Sequence, residues 1–76
     1  MSNCKEIGAN IRRLRKRAGL SQERLALEAG ISNSYLRLIE HGNANPTIQE
    51  LEKVASALGV PLTSLVMFPE PTEAAL

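Results

Sequence analysis

Residues 21–42, SQERLALEAGISNSYLRLIEHG, constrain the fold more than any other stretch of the chain. They read as two short helices joined by a tight turn at Gly30, each with one apolar stripe. Ser21 predicts an N-cap, because its hydroxyl can accept from one of the first unpaired helix amides. Gln22 and Glu23 follow at the positive end of the helix dipole, and Leu25, Ala26 and Ala29 recur at the spacing of one helical face. Gly30 supplies a left-handed stop at low steric cost. Ser32 caps the second helix, with Leu36 and Ile39 facing inward at i and i+3. Asn33, Ser34, Tyr35, Arg37, Leu38 and His41 are left for its outward face. Side chains of this kind read base edges, and a helix is slim enough for a major groove. The stretch therefore predicts a helix-turn-helix that binds double-stranded DNA, with residues 32–41 as the recognition helix.

The rest of the chain is read around that unit. Seventy-six residues make one small domain, which buries only ~60% of the surface its unfolded form exposes. No staple is visible: Cys4 is the one cysteine, and no Cys/His cluster is present to hold a metal. Cys4 reads most simply as a reduced thiol, an intermolecular disulfide being the weaker alternative. No apolar run approaches the ~20 residues of a membrane span, and the N-terminus lacks a signal-peptide pattern, so a cytoplasmic protein without membrane contact is expected. With no aspartate, one histidine and one cysteine, and no glycine-rich phosphate loop after a strand, an enzyme is not expected, nor a cofactor or small-molecule ligand.

The net charge of +1 is unevenly spread. Residues 1–37 hold eight of the nine Lys/Arg against three glutamates, giving +5, and residues 38–76 hold Lys53 against five, giving −4. Such asymmetry points to a polyanion on one side. The basic run RRLRKR is either a solvated helix face or, beside a helix-turn-helix, a phosphate contact through Arg12, Arg13, Lys16 and Arg17. The acidic second half, with Glu50 and Glu52, is a surface RNA polymerase could touch or simply a solvated face.

Taken in order, Asn3 predicts a cap for a first helix, with Glu6 placed to complete a capping box. Ile7, Ile11, Leu14 and Ala18 form its buried stripe. Gly8 inside it costs ~1 kcal/mol relative to alanine and loosens the first turn. Gly19 ends the helix, and Leu20 packs into the core. Residues 41–46, HGNANP, are a loop. Thr47 with Glu50 is a full capping box. Ile48, Leu51, Val54, Ala55 and Leu58 supply the apolar face of the fourth helix, and Gly59 its C-cap. Pro61 opens a short fifth helix through Leu62, Leu65 and Val66. With no strand pattern or repeat, the expected fold is all-α with five helices, a DNA-binding domain over residues 1–68 and a frayed tail over 69–76.

The segments LSQERLALEAGISNSYLRLIEHG, NPT and LEKVASALGVPLTSL resemble the lambda-repressor-like, or Cro/repressor (Xre), helix-turn-helix family. The resemblance runs from about Ile7 to Leu65. Its most specific parts are Ser21-Gln22, Gly30, and Ile39-Glu40-x-Gly42. It implies five helices, the third in the major groove, and DNA bound by a symmetric dimer. By position it gives Gln22 a phosphate contact and a role bracing the recognition helix, Asn33 and Ser34 base contacts, and Tyr35, Arg37 and Leu38 variable ones. It places His41, Asn43 and Asn45 near the DNA backbone and matches Arg15 and Glu40 to an ion pair tying the first helix to the third. The small size and the Asn-Ser-Tyr start look like the controller proteins of restriction–modification systems, traits that many short phage and chromosomal regulators share.

Several side chains have more than one role open to them. Arg37 either forks onto guanine N7 and O6 or pairs with Glu40 at i,i+3; Asn33 either reads adenine or bonds the local backbone. Tyr35 stacks on a thymine methyl, donates to phosphate, or lies against the first helix as a partly buried ring. Leu38 touches a thymine methyl or is tolerated outside. Leu62, Leu65, Val66, Met67 and Phe68 form an isologous homodimer interface or close the monomer core. The leading reading is a sequence-specific bacterial or phage transcription regulator, repressor or activator, on an inverted repeat with half-sites ~34 Å apart. The alternative is an antitoxin-type interaction module with secondary DNA binding, for which only residues 69–76 offer an extension.

Overall fold

A computed structural model of the chain describes residues 3–67. Five helices follow one another: α1 (Cys4–Arg17), α2 (Gln22–Ala29), α3 (Asn33–Glu40), α4 (Ile48–Leu58) and α5 (Thr63–Val66), with no strand among the described residues. The broadest seams run between α1 and α3 and between α2 and α4; α2 also packs on α3, and α5 closes against α1.

Local chemistry starts and stops most of these helices. Thr47 Oγ1 accepts from the Glu50 amide at 3.1 Å while Glu50 Oε1 accepts from the Thr47 amide at 2.8 Å, completing the capping box of α4. The start of α1 differs from expectation: Asn3 makes no side-chain cap bond. Its backbone, at φ −92° and ψ 15°, lies outside the extended region from which a cap side chain reaches back to the helix amides.

The core is built from Ile11, Leu25, Leu36, Ile39, Val54 and Leu65, each essentially inaccessible, with Leu51 and small Ala26, Ala29 and Ala55 between them. Ile7, Leu14, Leu20 and Leu58 pack partly buried against this cluster. Two members of the predicted stripes do not join it. Ala18 is exposed as the C-cap of α1, and Ile48, on the first turn of α4, is 59% exposed.

Gly8 does not loosen α1, which runs unbroken through it. The residue is buried against the last turn of α3. A Cβ there would collide with the Ile39 carbonyl oxygen and stand 2.8 Å from that of Glu40. The helix-propensity cost of glycine is thus accepted for a backbone-to-backbone approach that no other residue permits.

Leu65 corrects the expected dimer surface. It is fully buried, so it closes the monomer core and offers nothing to a second chain. Asn10, itself buried, fixes it there: Asn10 Nδ2 donates to the Leu65 carbonyl at 2.9 Å and to that of Met67 at 3.4 Å. Leu62 and Val66 are half-buried, and Met67 is 68% exposed. Phe68 and the tail over 69–76 lie outside the described residues.

Candidate nucleic-acid interface

The turn between α2 and α3 is held entirely by short-range bonds. Ser21 Oγ accepts from the Arg24 amide at 3.0 Å, starting α2. Gly30 adopts φ +73°, and the Ile31 amide then donates back to the Ala26 carbonyl at 3.0 Å, a hydrogen-bond pattern that terminates a helix and reverses its direction. Ser32 Oγ accepts from the Tyr35 amide at 3.0 Å and starts α3 within two residues of that stop. Leu36 and Ile39 then point into the core, which fixes the rotation of α3 about its axis. Ser34, Arg37, Leu38 and His41 are left exposed as a ridge, with Asn33 and Tyr35 half-buried at its amino end.

At the carboxyl end of α3, Glu40 is anchored from two helices. Arg15 Nε donates to Glu40 Oε2 at 2.7 Å and Arg15 Nη2 to Oε1 at 3.1 Å, a two-pronged contact between planar groups. Arg15 Nη1 also donates to the Leu20 carbonyl at 3.0 Å. The side chains are 11% and 2% exposed, so the charges meet largely out of water. Gln22 Nε2 adds a third donor to Glu40 Oε1, at 3.1 Å, from the first residue of α2. With both carboxylate oxygens occupied from α1 and α2, Arg37 is not paired to Glu40; it stands exposed.

The amino end of α3 is held differently. Tyr35 OH donates to Glu50 Oε1 at 2.7 Å, so its ring is tied to α4 rather than to the first helix, and its one hydroxyl proton is committed. The capping bonds from Thr47, with the phenol bond, hold the Glu50 carboxyl below its ordinary range. The same contact raises the Tyr35 phenol above its usual value, because the neighbouring carboxylate opposes loss of its proton.

The basic side chains lie on the exposed faces of α1. Arg12, Arg13, Lys16 and Arg17 are all exposed, and the first three, with Ala9, line an open recess whose wall includes Glu40. Arg13 Nη1 also donates to Asn10 Oδ1 at 2.9 Å. In the loop after α3, His41 Nδ1 lies 2.9 Å from the Arg37 carbonyl, and the Asn43 amide donates to the Leu38 carbonyl at 2.8 Å. Asn45 Oδ1 accepts from the Cys4 thiol at 3.7 Å. Gly42, at φ +76°, lets the stem of Lys5 cross over the loop, where a Cβ would stand 2.6 Å from Lys5 Cγ. His41, Asn43 and Asn45 are exposed on this loop.

Three contributors were missed by pattern reading: Gly8, Asn10 and Glu50 in its second role as the partner of Tyr35. A signal existed for the first two. Gly8 and Asn10 fall one residue from Ile7 and Ile11 within the buried face of α1, where a polar or missing side chain marks a specific neighbour rather than a solvent position.

Two short helices at a glycine turn, the second presenting a polar ridge beside a basic helix, define a helix-turn-helix DNA-binding domain. A family model described as helix-turn-helix matches residues 11–65, and the chain belongs to this lambda-repressor-like (Xre) family of DNA-binding transcription regulators. It is 44% identical over 66 residues to the HTH-type transcriptional regulator y4dJ of Sinorhizobium fredii, covering 87% of this chain and 86% of that one. Among solved structures, the restriction–modification controller protein C.AhdI from Aeromonas hydrophila superposes with a TM-score of 0.82 at 34% identity, over 86% of this chain and 98% of that one. The biofilm regulator SinR in complex with DNA superposes with a TM-score of 0.77 at 44% identity, over 80% and 98%. The chain spans about two fifths of the length of some longer regulators that it also matches. Among the described residues, no helix is long and apolar enough to cross a membrane.

Proposed function

We propose that this protein regulates transcription by binding an inverted-repeat operator as a homodimer, with α3 in the major groove of each half-site. The observation that carries the reading is the ridge of Ser34, Arg37 and Leu38, exposed on a short helix whose rotation is fixed by Leu36, Ile39 and Glu40. Arg37, with no intramolecular partner on Glu40, is placed to fork onto guanine N7 and O6. Asn33 and the ring edge of Tyr35 complete the base-facing set. Arg12, Arg13, Lys16 and Arg17 on α1, with His41, Asn43 and Asn45 on the loop, supply the phosphate contacts that set affinity and register. Gln22 joins them: one of its two amide protons goes to Glu40, leaving the second for a phosphate oxygen.

The dimer reading now rests on Leu62, Val66 and Met67, the apolar side chains that α5 and its end leave accessible. The likeness to SinR, solved with DNA, supports the groove assignment, and that to C.AhdI supports the controller type. Selection of bound sequences from random duplex DNA tests the whole proposal. It should return an inverted repeat with half-site centres ~34 Å apart. A single asymmetric site overturns the dimer, and no enrichment overturns DNA binding.

A further inference from the structure

Among the described residues, one buried side-chain polar atom has no hydrogen-bond partner: Asn33 Oδ1, on the first residue of the recognition helix. The nitrogen of the same amide is not enclosed, and the residue as a whole is half-buried. One end of this amide is therefore withdrawn into the protein while the other keeps some access to solvent. An enclosed amide oxygen without a partner is unfavourable, and the local capping duty is already discharged by the Ser32 hydroxyl. Asn33 is consequently not explained as a helix-start residue bonding its own backbone.

Asparagine reads adenine when both ends of its amide face the base: the oxygen accepts from N6 while the nitrogen donates to N7. An oxygen closed to a water molecule is equally closed to a base. We propose that Asn33 reads its base pair through its amide donor alone, recognising an acceptor on the groove edge (guanine N7 or O6, adenine N7 or thymine O4) and not the exocyclic amine of adenine.

The neighbouring side chains extend the same bias. Arg37 carries donors only, the hydroxyl proton of Tyr35 is spent on Glu50, and Leu38 offers an apolar surface suited to a thymine methyl. Ser34 is the one exposed side chain between residues 33 and 38 with both a donor and lone pairs to present. The ridge is thus built to read acceptors and methyl groups. This inference rests on the placement of α3 in the groove and specifies how that helix discriminates.

The test uses the full chain and its selected operator. Comparing the selections of the wild type and Asn33→Ala identifies the base pair that Asn33 reads, as the position whose preference relaxes. Duplexes are then made with single functional groups removed at that pair: the N6 amine of adenine or N4 amine of cytosine, and, separately, N7 of the purine, O6 of guanine or O4 of thymine. Affinity is read by fluorescence anisotropy at fixed salt, with the same deletions at an unread flanking pair as the control for duplex stability. Deleting the acceptor should weaken binding about five- to tenfold, and deleting the amine less than twofold. Asn33→Ala should melt no lower than the wild type, since the enclosed oxygen makes no bond to lose. Dependence on the amine comparable to the effect of Asn33→Ala overturns the donor-only reading, as does an Asn33→Ala selection identical to that of the wild type. If no duplex is selected by the wild type, the groove placement itself is wrong and this inference falls with it.

Discussion

The two ends of α3 are secured by similar chemistry in opposite surroundings. At its carboxyl end, Glu40 is buried beneath Arg15 and Gln22, and α1 approaches closely enough at Gly8 to exclude a side chain. At its amino end, Tyr35 reaches across to Glu50 on a half-buried surface, and Ser32 caps the helix in the open. Both ends use a carboxylate as the acceptor. The difference is the dielectric: a charge out of water depends on its partner for nearly all its solvation, whereas a surface carboxylate is supported by solvent when its partner is lost. The carboxyl end is accordingly a fixed joint, and the amino end a lighter attachment that responds to protonation.

The largest effect should come from Glu40→Ala. It strands the Arg15 guanidinium in a largely closed site, at a cost of ~3–5 kcal/mol, a large share of what a small domain has. Urea denaturation should show the loss. Replacing both partners with apolar residues, Arg15→Met with Glu40→Leu, should recover most of it, because neither charge is then left alone. A double variant as unstable as the single one would show that the joint depends on more than charge pairing.

Gly8→Ala comes next. Alanine improves helix propensity by ~1 kcal/mol, so a purely local view expects a higher melting temperature. The structure expects the reverse, because the new methyl meets backbone carbonyls of α3 that cannot rotate aside. The net loss should be about 1–3 kcal/mol by thermal melting. A stabilised Gly8→Ala variant would mean that the two helices are not in such close contact.

The smallest effect belongs to the amino end and is visible mainly as pH dependence. Because Glu50 is held below its ordinary range, its contribution is complete above the pKa of an unfolded glutamate and is lost as pH falls through the lowered folded value. The Tyr35 phenol, raised in the fold, loses the same bond at the alkaline end, as pH climbs through its raised value. Melting temperatures of the wild type and Glu50→Gln, followed across pH, should differ near neutrality and converge in acid. Parallel curves would show that the carboxylate does not hold the helix.

What the sequence made readable was whatever a few consecutive residues decide. Ser21, Ser32 and Thr47 start helices through bonds to amides three residues on, and Gly30 turns the chain by its own dihedrals. What it left unread depends on distant elements meeting. Asn10 is partnered by carbonyls 55 and 57 residues away, and Tyr35 by a carboxylate 15 residues on. The expected cap at Asn3 and the burial of Ile48 misled for a related reason: both sit on first turns, where spacing says little about which way the chain enters. Among the DNA-facing candidates, the outward positions followed from helical period, but which atoms of Asn33 and Tyr35 remain available is set by packing.

The bolting of Glu40 to Arg15 also bears on how the protein meets a duplex. Arg15 lies between Arg13 and Lys16 on the same helix, so the cations of α1 and the ridge of α3 keep a constant spacing. Little internal motion has to be frozen at contact, and the distance between a phosphate and the base pair read beside it is measured by a ruler already made.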